Sequence, residues 1–396
     1  MKESTYDLLC AVMLGFGNFC LFLGYDTQNT IAEPVLRSVH DRSPDRIDMH
    51  AGYNGTAVCT VVFMLFSLAV PWTLGRLGSK GSIVFGSSLF TAYLCSFLYV
   101  HYIPYYVSAA ANGVGYALFS SGVGAYTTEH STARTIGRNS ALSYSLATSG
   151  LVVGGLAIFN TSQRLMYGSF VALGIVSNII FALMPPRAVE KSLAQVNDST
   201  RRIRLSSTLT FWMSIYAATL IYSKRLSNHD NLQAYYISAV GVGEILMGAI
   251  VSLASKRFRD FAKMTTQSIG TALFVLAMVL AFLSTPFDAS HSPTDDETLL
   301  IQPSMEVALL IALLLGMADC ALVSSRTVLC SLLMPEKIPQ VFSISKFYQP
   351  LASSVILFLS SFISMPMHFA LNLAFGTIAL YAYHRSMSIA SRREGA

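Results

Sequence analysis

Charge is scarce in this sequence, and its absence is concentrated. From Lys80 to Glu129 there is no Asp, Glu, Lys or Arg for 48 residues, and from Lys337 to Arg385 only Lys346 interrupts a run of 47. With 12% charged residues, 53% hydrophobic residues and a mean hydropathy of +0.53, the composition excludes a water-soluble domain of this size. The six cysteines show neither CxxC nor Cys/His ligand spacing, which excludes a zinc site; all lie in apolar segments, where small buried residues are expected. There is no nucleotide-binding loop, HExxH, GxSxG or dinucleotide fingerprint, so no catalytic group, metal or cofactor is expected and the enzyme classes are set aside. The net charge of +5 reads as basic loops retained on one side of a membrane, not as a nucleic-acid surface.

What is present is apolar sequence in spans. A membrane helix needs about 20 mostly apolar residues. Each long uncharged run therefore holds two crossings, divided near His101-Tyr-Ile-Pro104 and near Met365-Pro366-Met367-His368. Segments 8–30, 49–75, 139–163, 165–186, 205–223, 231–255, 264–287 and 307–333 supply the rest, which predicts 12 helices. The span 205–223 is the shortest and is followed at once by Lys224 and Arg225. With the amino terminus in the cytosol, 18 of the 26 Lys and Arg fall on that side and 6 outside, while Arg326 and Lys346 lie within helices. Both termini are therefore expected in the cytosol.

The stretch 185–206, polar and carrying five basic residues, divides the chain into six-helix halves at 1–184 and 207–396. An all-α polytopic membrane protein of twelve transmembrane helices in two halves has the layout of the major facilitator fold, whose halves rock about a central cavity. Layout alone supplies no function.

Several positions narrow this further. They are Gly52-Tyr53, the glycines 113, 115, 122 and 124, Thr135-Ile-Gly137-Arg138-Asn139-Ser140, Gly241-Val-Gly243-Glu244-Ile-Leu246, Leu315-Gly-Met-Ala-Asp319 and Lys346-Phe-Tyr-Gln349. In this order they resemble the uncoordinated-ninety-three family of major facilitator proteins over nearly the whole chain. The resemblance implies either a carrier of a small solute or ion, or a non-transporting subunit that regulates a channel or escorts another membrane protein. Plasma membrane and endolysosomal membrane both fit. Where the family tends to have Trp-Thr-x-Gln, this chain has Ser120-Ser-Gly-Val123, and its seventh span is about ten residues short by the same likeness.

Ionisable groups at membrane depth cost about 2.5–3.5 kcal/mol each on insertion scales, so each should face a cavity or a partner. Glu244 and Asp319 are expected near the midplane, and Arg326 and Lys346 about 10 Å above the cytosolic side, by the rise of 1.5 Å per residue. Together with Asn18, Asp26 and Gln349 they form the candidate solute or ion pathway; two acids beside cations are suited to carrying a proton or cation. Asp26 is expected near the external end of its helix. Gly137, Arg138 and Asn139 are the candidate conformational latch, with Asn139 or Ser140 as an alternative cap for the following helix. In the loop 72–80, the acid that usually pairs across helices is missing.

Overall fold

The computed structural model describes residues 3–157, 163–186, 232–258, 261–286, 298–333, 337–360 and 365–394. Among these, eleven α-helices follow one another: α1 (Glu3–Arg42), α2 (Ala51–Ser67), α3 (Val70–Ser96), α4 (Tyr102–Glu129), α5 (Ile136–Ala157), α6 (Gln163–Leu183), α7 (Leu232–Arg257), α8 (Thr266–Ser284), α9 (Met305–Leu333), α10 (Ile338–Ser360) and α11 (Met365–Glu394). The predicted seventh span, 205–223, and residues 187–206 of the linker lie outside the described residues, so α7 corresponds to the eighth predicted span.

Apolar length makes these helices, and backbone satisfaction keeps them helical, because every amide in lipid must find a partner within its own segment. Six of them, or their parts, are long and apolar enough to cross by hydropathy alone, including Thr5–Asn29, Leu165–Leu183 and Met305–Leu332. The polar remainder crosses because its hydroxyls are turned onto the helix's own carbonyls. Ser82 bonds Gly78 at 2.8 Å, Thr91 bonds Ser87 at 3.1 Å, and Thr127 and Thr128 bond Val123 and Gly124 at 2.8 Å each. Leu65, Val107, Ile179, Leu253 and Ile378 point outward, as lipid contact requires.

Both hairpin breaks lie where the sequence placed them, with α4 starting after His101 and α11 starting at Met365. Three expectations are corrected. The predicted span 49–75 is not one helix: α2 ends at Ser67, and Pro71 sits in the first turn of α3, where its missing amide costs nothing. Gly78 then takes φ 70°, a conformation that a Cβ disfavours, and this separates a short leading helix from the span that follows. α1 runs for 40 residues instead of stopping near 30, about 60 Å at 1.5 Å per residue, and so projects beyond the apolar layer. Of the cysteines, Cys95 is exposed and Cys59 half-buried, while the other four are buried.

The first half is organised on an aromatic core of Tyr25, Phe90, Tyr93, Phe119, Phe170 and Phe181, with Tyr25 and Phe90 edge to face at 4.6 Å. The second half packs smaller side chains, among them Ala277, Ala281, Ala308, Ala312 and Ala318 between α7, α8 and α9. The starts of α1 and α5, the turn Phe261–Thr265 and Tyr383 of α11 meet on one face. Arg138 at the start of α5 pairs with Asp7 of α1 at 3.1 Å, Gly137 abuts Ala262, and Tyr383 of α11 donates to the Lys263 carbonyl at 3.3 Å. We refer to this side as the terminal face.

Candidate functional site

Two glycines bring the acids together. A Cβ at Gly243 of α7 would lie 2.2 Å from the Leu313 carbonyl oxygen, and one at Gly316 of α9 would lie 2.0 Å from that of Val240. The two backbones therefore touch, as small residues permit in membranes. Glu244 follows the first glycine by one residue, and Asp319 follows the second by one turn. Glu244 is 1% exposed and its carboxyl faces Thr148 and Asp319, with Oε2 unpartnered among the described residues. Asp319, 4% exposed, accepts a hydrogen bond from the Tyr144 hydroxyl at 2.7 Å. Two buried acids facing each other are stable only with positive charge or a proton between them.

Tyr144 and Thr148 belong to α5, in the first half; Glu244 and Asp319 belong to the second. The sequence reading missed both partners on α5. The signal was the polar run Ser143-Tyr-Ser-Leu-Ala-Thr148, whose tyrosine sits about two turns into α5.

A second group lies two turns along α9. Arg326 Nη1 donates to Gln349 Oε1 at 3.1 Å, and Lys346 Nζ donates to the same oxygen at 3.5 Å. No carboxylate among the described residues is within ion-pair distance of either cation. Tyr116 of α4 lies in electrostatic range of Asp26, Arg326 and Asp319, and so connects the two groups. Lys346, Tyr116 and Asp26 are each half-buried.

Asp26 is accordingly not a solvated acid at a helix end. α1 continues sixteen residues beyond it, and Tyr25 beside it is packed on Phe90. Asn18 is buried farther down α1, with Oδ1 unpartnered among the described residues.

The three latch candidates divide between two tasks. Gly137 joins the halves: a Cβ there would lie 2.0 Å from that of Ala262 in the π-helical turn Phe261–Thr265. Arg138 acts within the first half, through its ion pair to Asp7 and a 3.0 Å bond to Asn139 Oδ1. Asn139 does not cap α5, which begins at Ile136; its amide donates to Ser131 Oγ at 3.0 Å. Further contacts close the terminal face between halves. Thr128 and Ser331 hydroxyls meet at 2.7 Å, Ser343 bonds the Ser67 carbonyl, and the Phe342 ring lies over Gly124. The acid expected in loop 72–80 is supplied from elsewhere, since Glu129 at the end of α4 accepts from Ser79.

A family model described as ion channel regulatory protein UNC-93 matches residues 43–208 and 206–383. The chain belongs to the UNC-93 family. Among curated relatives, the UNC93-like protein MFSD11 of Xenopus laevis is 24% identical over 430 residues, and its Xenopus tropicalis counterpart 23% over 431; each alignment covers 95% of both chains. Solved structures give the fold. The human organic anion transporter MFSD10 (TETRAN) superposes with a TM-score of 0.68 at 12% identity, covering 95% of this chain and 99% of that one. The proton:xylose symporter XylE gives 0.60 at 14% identity, covering 98% and 95%. FucP, solved in the outward conformation, gives 0.57 at 12%, covering 96% and 99%. This UNC-93 family chain is an integral membrane protein with the twelve-helix, two-half major facilitator fold.

Proposed function

We propose that the protein is a secondary carrier, moving a small solute through alternating exposure of the chamber bordered by Asp26, Tyr116, Glu244, Asp319, Arg326 and Lys346. The observation that carries this reading is the Tyr144–Asp319 bond, which crosses between halves beside Glu244 Oε2, a buried carboxyl oxygen without a partner among the described residues. A bond that breaks when the halves part, next to a group able to take a proton or cation, is a means of coupling charge to conformation. The terminal-face contacts at Thr128–Ser331 and Gly137–Ala262 are the closed gate in this reading, and the distribution of basic residues supports a cytosolic location for that face.

A second reading, a subunit that regulates a channel, draws support from the description of the family model. Labelling in proteoliposomes separates the two. In a chain with its native cysteines replaced, Thr128→Cys with Ser331→Cys is crosslinked, and a cysteine at position 18 is probed with an impermeant maleimide. A carrier reacts from one face when crosslinked and from both after reduction. Reaction from a single face in either state supports the regulatory subunit and overturns the carrier.

A further inference from the structure

Arg326 and Lys346 approach each other from different helices, α9 and α10. Both donate to one neutral oxygen, Gln349 Oε1, at 3.1 and 3.5 Å. Their charges are thus within about 7 Å of each other and repel, while the guanidinium has five donors and the ammonium three. Gln349 satisfies one donor of each. Among the described residues no carboxylate stands within ion-pair distance, although Asp319 on the same helix satisfies itself through Tyr144 instead.

Long basic side chains that serve only as membrane anchors extend toward the nearest polar surface. These two converge on a shared acceptor, and Tyr116, on the other half, lies in electrostatic range of Arg326. Both cations are half-buried. Paired cations that converge from two helices on one neutral oxygen match the geometry of a compact oxyanion, for which a guanidinium offers two parallel donors and an ammonium a point charge.

We infer that the chamber takes a small solute through an oxyanion group, carboxylate or phosphate, seated on Arg326 and Lys346 with Gln349 between them. This rests on the reading of the chamber as a solute site, but it does not require transport. The acids at Glu244 and Asp319 then lie on the far side of the bound group, where a co-bound proton or cation offsets the charge of the solute.

The test is thermal unfolding of the purified full chain with succinate, benzoate and inorganic phosphate, each against matched controls of succinamide, benzamide and sodium chloride at equal ionic strength. At least one oxyanion should raise the midpoint saturably, by about 3 °C at a hundredfold excess over its dissociation constant. Arg326→Gln and Lys346→Gln should each weaken that binding at least about tenfold, a factor set by the loss of one charge-assisted hydrogen bond. Arg138→Gln, which removes a cation outside the chamber, should leave it unchanged. Should the neutralised variants fail to fold, Arg326→Lys and Lys346→Arg keep the charge while altering the donor geometry, and a change in the ranking of carboxylate against phosphate supports the inference. Equal stabilisation by amides and acids, no stabilisation by any of the three oxyanions, or unchanged affinities and ranking in the variants that fold overturns it. Oxyanion binding with no labelling from the second face would instead sink the carrier reading and leave this inference standing.

Discussion

Tyr144 and Asp319 are joined by a 2.7 Å hydrogen bond that runs from α5 in the first half of the protein to α9 in the second. A hydroxyl donated to a buried acid is an interaction with high local stakes, because the acid has few alternatives when it is withdrawn. Tyr144→Phe should lower stability by about 1–3 kcal/mol. The variant should remain folded, and labelling at position 18 should shift toward the terminal face as the bond between halves is lost. A thermal midpoint equal to that of the parent chain would argue that the bond contributes nothing.

The contact of α7 with α9 depends on the absence of a side chain at Gly316, where a Cβ would stand 2.0 Å from a backbone oxygen. Backbone cannot yield as a side-chain tip can. Gly316→Leu should force the helices apart and abolish a monodisperse peak in size-exclusion chromatography. Gly376→Ala, in α11, is the control: nothing lies within 4 Å of the added carbon, and its effect should stay within about 0.5 kcal/mol.

Asp7 and Arg138 form an ion pair whose side chains are 4% and 15% exposed, sheltered enough for a measurable coupling. A double-mutant cycle with Asp7→Asn and Arg138→Gln should return an interaction of about 1–3 kcal/mol. A coupling near zero would place the pair with solvent-screened surface bridges.

Glu129, at the terminal-face end of α4, has its carboxyl pushed above the ordinary value by burial, against a smaller opposite pull from the Ser79 hydroxyl. The folded state then holds the proton more tightly than the unfolded chain does. Its contribution is most favourable at pH below the unfolded value and declines as the pH rises through the folded value. Between pH 4.5 and 7.5 the thermal midpoint of the parent chain should fall relative to Glu129→Gln, whose side chain does not titrate. A constant difference across that range would show that the shift is absent.

Much of the architecture could be read along the chain because lipid imposes a one-dimensional rule. A span must be apolar for about 20 residues and must satisfy its own amides. His101-Tyr-Ile-Pro104 and Met365-Pro366 therefore marked the hairpin turns correctly. The rule weakens where a helix leaves the bilayer. The charges from Glu33 onward marked the end of the apolar part of α1 but not the continuation of the helix to Arg42, so Asp26 was placed at a helix end when it lies within. Pro71 was equally ambiguous, since a proline suits both the end of one helix and the first turn of the next.

The sequence by itself determined that this protein lives in a membrane, crosses it repeatedly, and carries acids and bases inside. These follow from transfer free energies that act residue by residue. It could not say which buried groups meet. That Tyr144 reaches Asp319, that Gln349 serves both Arg326 and Lys346, and that Gly137 rests on Ala262 while Arg138 turns back to Asp7 are results of helix rotation and separation. Those are set by which small residues allow two backbones to touch, and contacts between different helices, up to 175 residues apart for Tyr144 and Asp319, leave no periodic trace in a single chain.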